Sequence, residues 1–159
     1  MSDVSEIINW RRLDGDTTTS GQPSEEQLFQ LRDLGIINII NLGPHDNDGA
    51  LEDETKSVSD LGMNYIYIPV DFENPTDADF NAFCAAMDKT NGSKTHIHCI
   101  YNARVSAFFY RYAKTNTRFD EQEMFEIMDG IWRPGGNWAC FIGDESAVEK
   151  PNRFLGYEY

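Results

Sequence analysis

The chain has no apolar run of membrane-spanning length, only 3 cysteines, only 3 histidines, and only 13 lysines and arginines among its 159 residues. Each shortage removes a class of function. Without about 20 consecutive apolar residues a helix cannot cross a bilayer. Cys84, Cys99 and Cys140 are odd in number and lack metal-like spacing, which argues against a disulfide framework and against a zinc site. The histidines do not complete one: His96 and His98 stand two apart on one face of a strand, and His45 lies alone in a polar loop. The 13 basic residues face 27 acidic ones, a formal net charge of -14. A surface of that sign repels nucleic acid and anionic lipid, so neither is expected as a partner. Met1 to Glu6 is acidic and lacks the basic and apolar regions of a secretory signal, so the expectation is a soluble, cytoplasmic chain.

What remains is an ordinary globular composition, with 40% hydrophobic and 25% charged residues. The length fits a single domain over residues 1–159, with a core of its own and no internal repeat. Ser20-Gly21-Gln22-Pro23 reads as a turn, after which Ser24 and Gln27 form a capping box for a helix carrying Leu28, Leu31 and Leu34. Ile36 to Leu42 is short and β-branched and reads as a strand. A polar loop, Gly43 to Gly49, leads to a helix over Leu51 to Leu61. Asn64 to Val70 reads as the next strand, followed by the loop Asp71 to Pro75. Thr76 and Asp79 cap a helix with Phe80, Phe83, Cys84 and Met87 on one face, and Asn91-Gly92-Ser93 breaks it. Thr95 to Cys99 is a strand, Arg104 to Tyr112 is helical, and Asp120 opens a helix through Met128. After Gly130 the pattern is irregular, with Trp132 and Trp138 expected to pack across the body. Strands alternating with helices predict a three-layer α/β fold, with a mostly parallel central sheet flanked by helices. In such sheets ligands bind where strands end and helices begin.

The chemistry concentrates at one such junction, His98-Cys99-Ile100-Tyr101-Asn102-Ala103-Arg104. A helix N-terminus favours negative charge, so a cysteine there is favoured as a thiolate nucleophile. The backbone N–H groups of Ile100, Tyr101, Asn102, Ala103 and Arg104 can ring a tetrahedral anion, and the Arg104 guanidinium can grip two of its oxygens. Either residue alone has a bland reading, as a packed cysteine or a solvated arginine; the joint arrangement reads as a site where a thiolate attacks an anionic centre such as a phosphoester. A leaving oxygen needs a proton, and Asp71, just after a strand, is placed to supply it, with Glu73 as a rival. Asp77 and Asp79 read as helix N-terminal residues. His98 reads as a residue that orients the loop by hydrogen bonding rather than as a base.

Several segments carry a resemblance: Ser20-Gly21-Gln22-Pro23, the strand ending Ile40-Asn41-Leu42, Ile68-Pro69-Val70-Asp71-Phe72 with Pro75-Thr76, and His98-Cys99 with Arg104. Over roughly residues 17 to 115 the chain resembles the cysteine-dependent protein tyrosine and dual-specificity phosphatase superfamily. It is most similar to a bacterial branch of phosphatase-like domains, the beta-lactamase-hydrolase-like phosphatase family. That resemblance implies a parallel sheet flanked by helices, Cys99 as nucleophile, Arg104 as the phosphate-binding arginine and Asp71 on the general-acid loop. It also implies a cysteinyl-phosphate intermediate with no metal and no cofactor, and a phosphorylated small molecule or phosphoprotein as substrate.

Three departures from the superfamily pattern stand out. Four residues, not five, separate Cys99 from Arg104, a shortened loop shared by the bacterial branch and by rhodanese sulfurtransferases. Asn102 replaces the expected glycine, and asparagine tolerates the left-handed region better than most residues. Val105 stands where a hydroxyl residue usually follows the arginine, leaving Ser106, one position later, as the candidate to support the leaving thiolate. The leading expectation is a metal-independent phosphatase. A rhodanese-like sulfurtransferase or persulfide-handling domain, and a catalytically weak phosphate-binding regulatory domain, are the alternatives.

Overall fold

The computed structural model describes residues 3–154. In chain order the elements are β1 (Arg11–Arg12), β2 (Thr17–Ser20), α1 (Glu25–Asp33), β3 (Asn38–Asn41), α2 (Glu54–Asp60), β4 (Asn64–Tyr67) and α3 (Asp77–Thr90). They continue with β5 (Thr95–His98), α4 (Ala103–Thr115), α5 (Glu121–Asp129), β6 (Trp132–Arg133), α6 (Gly136–Ile142), a 3₁₀ turn (Glu145–Ala147) and β7 (Arg153–Phe154). The main sheet runs β1-β2-β5-β3-β4, with β2, β5, β3 and β4 parallel and β1 antiparallel at the edge. The expected α/β architecture with a mostly parallel sheet is therefore present.

Alternation along the strands builds the layers. On one face Ile39, which pairs with His96, meets Leu28 and Leu31 of α1 and Val58 of α2, with Ile7 and Met63 completing that cluster. Ile40 pairs with Ile97 and faces the larger core of Phe83, Met87, Phe108, Trp132 and Trp138 on the other. Local signals set most helix starts. Ser24 with Gln27, and Thr76 with Asp79, make both hydrogen bonds of a capping box, as their spacing predicts. Asp120 caps α5 through the Glu123 N–H. The helix expected from Leu51 starts only at Glu54, because the Asp53 side chain accepts from Lys56 N and fixes the first turn there. The strand expected to reach Val70 loses regular pairing after Tyr67, although Ile68 and Val70 still donate to Asn41 and Leu42 on either side of Pro69.

Two expectations need correction. Ser20, read as the start of a turn, is instead the last residue of a fully buried interior strand, Thr17–Ser20, which the sequence pattern does not signal. The strand's hydroxyls are satisfied across the sheet: Thr18 Oγ1 and Ser20 Oγ lie 2.8 Å and 2.7 Å from the two ring nitrogens of His96. The segment after Gly130 is also ordered, as α6 and the antiparallel pair β6–β7 that flanks it in the chain. Its aromatics do pack across the body: Trp132 and Trp138 are both 1% exposed. Gly135 closes this segment, since a Cβ there would stand 2.1 Å from the Lys150 carbonyl oxygen.

Candidate active site

The parallel strands β2, β5, β3 and β4 all end at the same end of the sheet, and four loops meet there: residues 21–24, 42–53, 68–76 and 99–102. The loop from Cys99 to Asn102 runs straight from β5 into α4. Its carbonyl groups all have donors from the protein. His98 O accepts from Leu42 N at 2.8 Å, Cys99 O from His98 Nδ1 at 2.9 Å, Ile100 O from Gln22 N at 3.0 Å and Tyr101 O from Asn9 Nδ2 at 2.8 Å. In a planar trans peptide the following N–H points opposite to the carbonyl. Carbonyls turned out to the scaffold therefore leave the N–H groups of Ile100, Tyr101 and Asn102 turned in.

The start of α4 reinforces this. Among the described helices of nine or more residues, α1, α3 and α5 are closed by side-chain caps and α4 is not. Asn102 occupies its N-cap position at φ 72°, the left-handed conformation that its side chain tolerates. That side chain points away from the helix and donates to Asn9 O at 2.8 Å and Thr19 Oγ1 at 3.1 Å. Asn9 and the loop thus brace each other, and the first N–H groups of α4 stay free of a side-chain acceptor. Close approach is enforced from below as well: a Cβ at Gly21 would stand 2.5 Å from Ile100 O.

Arg104 is 5% exposed and Cys99 is wholly buried. Arg104 Nη2 donates to Asn47 Oδ1 at 3.0 Å, and its Cζ lies 5.1 Å from the centre of the Phe72 ring. Its Nε is buried without a hydrogen-bond partner. The side-on edge of the guanidinium, the one suited to two oxygens of an anion, is therefore only half engaged.

The other candidate residues fall in distinct places. Asp71 is exposed on its loop, where its Oδ1 accepts from Glu73 N at 2.9 Å. It is next in sequence to Phe72, whose ring faces Arg104 and whose carbonyl accepts from Trp138 Nε1 at 2.7 Å, so the loop carrying Asp71 is anchored beside Arg104. Asp77 pairs with Arg111 at 2.9 Å and Asp79 completes its capping box, as read from the sequence. Ile100 lies against Gly43 and Gly49, Tyr101 packs edge-on to Phe154, and Ala103 is buried. Ser106 is not aimed at the cysteine: its hydroxyl donates to Ala103 O at 3.0 Å and accepts from Trp132 Nε1 at 3.1 Å. His45 is exposed, stacks on Tyr67 at 3.7 Å and contacts the Tyr65 hydroxyl at 2.7 Å. Among the described residues no cluster of His, Cys, Asp and Glu could hold a metal ion.

Sequence reasoning missed Glu54. It is 2% exposed in the first turn of α2, with Oε2 2.7 Å from His98 Nε2 and Oε1 accepting from Gln22 Nε2 at 2.6 Å. Burial would raise its pKa, but the charge and hydrogen bond of His98, with the Gln22 amide and the Tyr65 hydroxyl, hold it below the ordinary carboxylate value. The signal that could have found it is its spacing: Glu54, Val58 and Leu61 share one helix face, and that face is apolar. His96 is the counterpart on the same strand. Its complete burial, aided by His98, holds it well below the ordinary imidazole range and so neutral.

No protein-family profile matches the chain. Two beta-lactamase hydrolase-like proteins from Xylella fastidiosa, strains Temecula1 and 9a5c, are 32% identical over 83 residues, half of this chain but only 19% of their own length. A crystal structure of TpbA from Pseudomonas aeruginosa shares the fold, with a TM-score of 0.62 at 18% identity over 80% of this chain and 75% of that one. A candidate phosphatase of the DUF442 family from Shewanella putrefaciens CN-32 is 34% identical, with a TM-score of 0.78 over 91% of this chain and 95% of that chain. By that identity across nearly the whole of both chains, the protein belongs to the DUF442 family of phosphatase-like proteins.

Proposed function

We propose that this chain is a cysteine-dependent phosphatase that hydrolyses phosphomonoesters without a metal, working as one domain over residues 1–159. The observation that carries the reading is the arrangement at the end of β5. A cysteine, a run of loop amides freed by outward-held carbonyls, an uncapped helix start and a half-engaged arginine converge on one short loop. That set binds a tetrahedral dianion and stabilises the extra negative charge of its transition state.

In the proposed reaction the Cys99 thiolate attacks phosphorus. The Sγ–P bond forms as the P–O ester bond breaks, and Asp71 gives its proton to the leaving oxygen. Water then attacks the cysteinyl phosphate, Asp71 takes a proton from it, and the Sγ–P bond breaks to release inorganic phosphate. Arg104 holds two phosphoryl oxygens throughout. Since Cys99 is wholly buried, turnover requires a local opening of the site to admit the substrate. TpbA has been captured with phosphotyrosine, which supports a phosphorylated substrate, either a phosphoprotein or a small molecule, for a chain of the same fold.

The test is hydrolysis of a generic aryl phosphate in the presence of a chelator, with trapping of phosphocysteine. Cys99→Ser should abolish turnover, and Asp71→Asn should slow it while sparing phosphate affinity. Hydrolysis that persists undiminished in Cys99→Ser would falsify the assignment. The four-residue spacing between Cys99 and Arg104 favours a second reading, sulfur transfer through a Cys99 persulfide. Persulfidation of Cys99 by thiosulfate, with no phosphate release from any ester, would select it.

A further inference from the structure

The cradle for the anion depends on a residue outside the loop. Glu54 Oε2 faces His98 Nε2 at 2.7 Å, and its Oε1 accepts from Gln22 Nε2 at 2.6 Å. These two partners are the residues that turn the loop outward. His98 Nδ1 donates to Cys99 O at 2.9 Å, and the Gln22 backbone N–H donates to Ile100 O at 3.0 Å. The Cys99 carbonyl only accepts, so His98 donates to it from Nδ1 and turns Nε2 to Glu54 in a fully buried pair, whose Glu54 and His98 side chains are 1% and 0% exposed.

We infer that Glu54 is the positioning residue of the oxyanion cradle: through His98 and Gln22 it keeps the Cys99 and Ile100 carbonyls turned out and the Ile100 and Tyr101 amides turned in toward the phosphoryl group. The inference rests on the phosphatase reading for the identity of the anion. Helix α2 thereby acts on the site without touching substrate. The Tyr65 hydroxyl, which also helps hold the Glu54 pKa down, is contacted by the exposed His45 at 2.7 Å, so the surroundings of Glu54 extend to the 42–53 loop.

The experiment measures how well inorganic phosphate protects Cys99 from iodoacetamide, read by mass spectrometry, a measure that needs no turnover. Glu54→Leu keeps the volume but leaves His98 and Gln22 without their acceptor. Glu54→Gln can accept from Gln22 and donate to a neutral His98, which keeps its Nδ1 proton on Cys99 O. Glu54→Leu and His98→Ala should each weaken protection by about tenfold or more, and Glu54→Gln should rescue it to within about threefold of the parent. The Glu54→Leu/His98→Ala double variant should be no weaker than the worse single variant, because both act through one contact. Unchanged protection in Glu54→Leu, or additive losses in the double variant, overturns the proposal. If Glu54→Leu shows no cooperative thermal transition, Glu54→Gln/His98→Ala decides: it must equal His98→Ala alone. Absence of phosphate protection in the parent protein would instead remove the oxyanion reading on which the inference stands.

Discussion

Arg104 Nη2 donates to Asn47 Oδ1 at 3.0 Å, and this contact ties Arg104 to the loop between β3 and α2. With the Phe72 ring beneath the guanidinium, it fixes the plane of Arg104 while leaving the buried Nε free of partners. Asn47 therefore acts on the arginine as an orienting contact, and its loss lets the fork rotate. Asn47→Ala should weaken phosphate binding about fivefold, corresponding to about 1 kcal/mol for a partly exposed hydrogen bond to a charged group. Thermal stability should hardly change, because Asn47 lies in a loop at the surface. Phosphate titration by isothermal calorimetry measures this. Tighter binding in the variant would mean that Asn47 competes with the ligand, and the orienting role would be lost.

Asn102 carries a second local device, since it holds φ 72° and two hydrogen bonds at once. The two contributions separate by substitution. Asn102→Gly keeps the left-handed conformation and loses only the bonds to Asn9 and Thr19. Asn102→Ala loses the same bonds and keeps a Cβ in the left-handed region without the polar side chain that tolerates it, a penalty of about 1–2 kcal/mol that glycine avoids. Urea denaturation should thus rank parent, then glycine, then alanine. Equal stability of the two variants would show that the loop relaxes out of the left-handed region.

What was legible in the sequence was what is local. Cys99 and Arg104 could be paired because a strand, a short loop and a helix set their separation within a few residues, and the tolerance of Asn102 for positive φ is intrinsic to its side chain. The caps Ser24, Thr76 and Asp120 were legible for the same reason. The rest depends on distant partners. Thr17 to Ser20 has no apolar signal, and its burial is satisfied by His96, more than seventy residues later. Glu54 looks like one more surface acid in an acidic chain until His98 and Gln22 are folded onto it. The segment after Gly130 reads as irregular because Gly135 and Gly136 mask a helix start. Its order comes from Trp132 and Trp138 packing with Phe72 and Phe108.

His96 sets part of the pH dependence of stability. Its ring lies between Thr18 and Ser20, stacks on Trp10 at 5.4 Å and neighbours His98 on the same face. Burial depresses its folded-state pKa well below the ordinary value of 6.5, so the unfolded chain takes up a proton that the folded one refuses. Its stabilising contribution is fully present above that value and is lost as pH falls below it. The slope from one such group is at most about 1.4 kcal/mol per pH unit. His96→Asn should fold less stably at neutral pH, yet its unfolding free energy should fall less steeply between about pH 7 and 5 than that of the parent. Urea titrations across that range measure both slopes, with His98 and Glu54 common to the two proteins. Parallel curves would show that His96 is not held neutral.

Ser106 separates structural from chemical roles in α4. Its hydroxyl proton goes to Ala103 O, and its lone pair receives the buried Trp132 indole at 3.1 Å, so it ties the β6–β7 pair to α4. Removing the hydroxyl leaves the Trp132 N–H buried without an acceptor, a loss of about 1–3 kcal/mol. Ser106→Ala should therefore lower the thermal midpoint while leaving the breakdown rate of the cysteinyl phosphate within about twofold of the parent, since no bond from Ser106 reaches Cys99. Pre-steady-state kinetics with excess fluorogenic phosphoester separates the steps: the burst follows phosphorylation of Cys99, and the linear phase with phosphate release follows breakdown of the cysteinyl phosphate. A large fall in that rate with unchanged stability would reassign Ser106 to the departing thiolate.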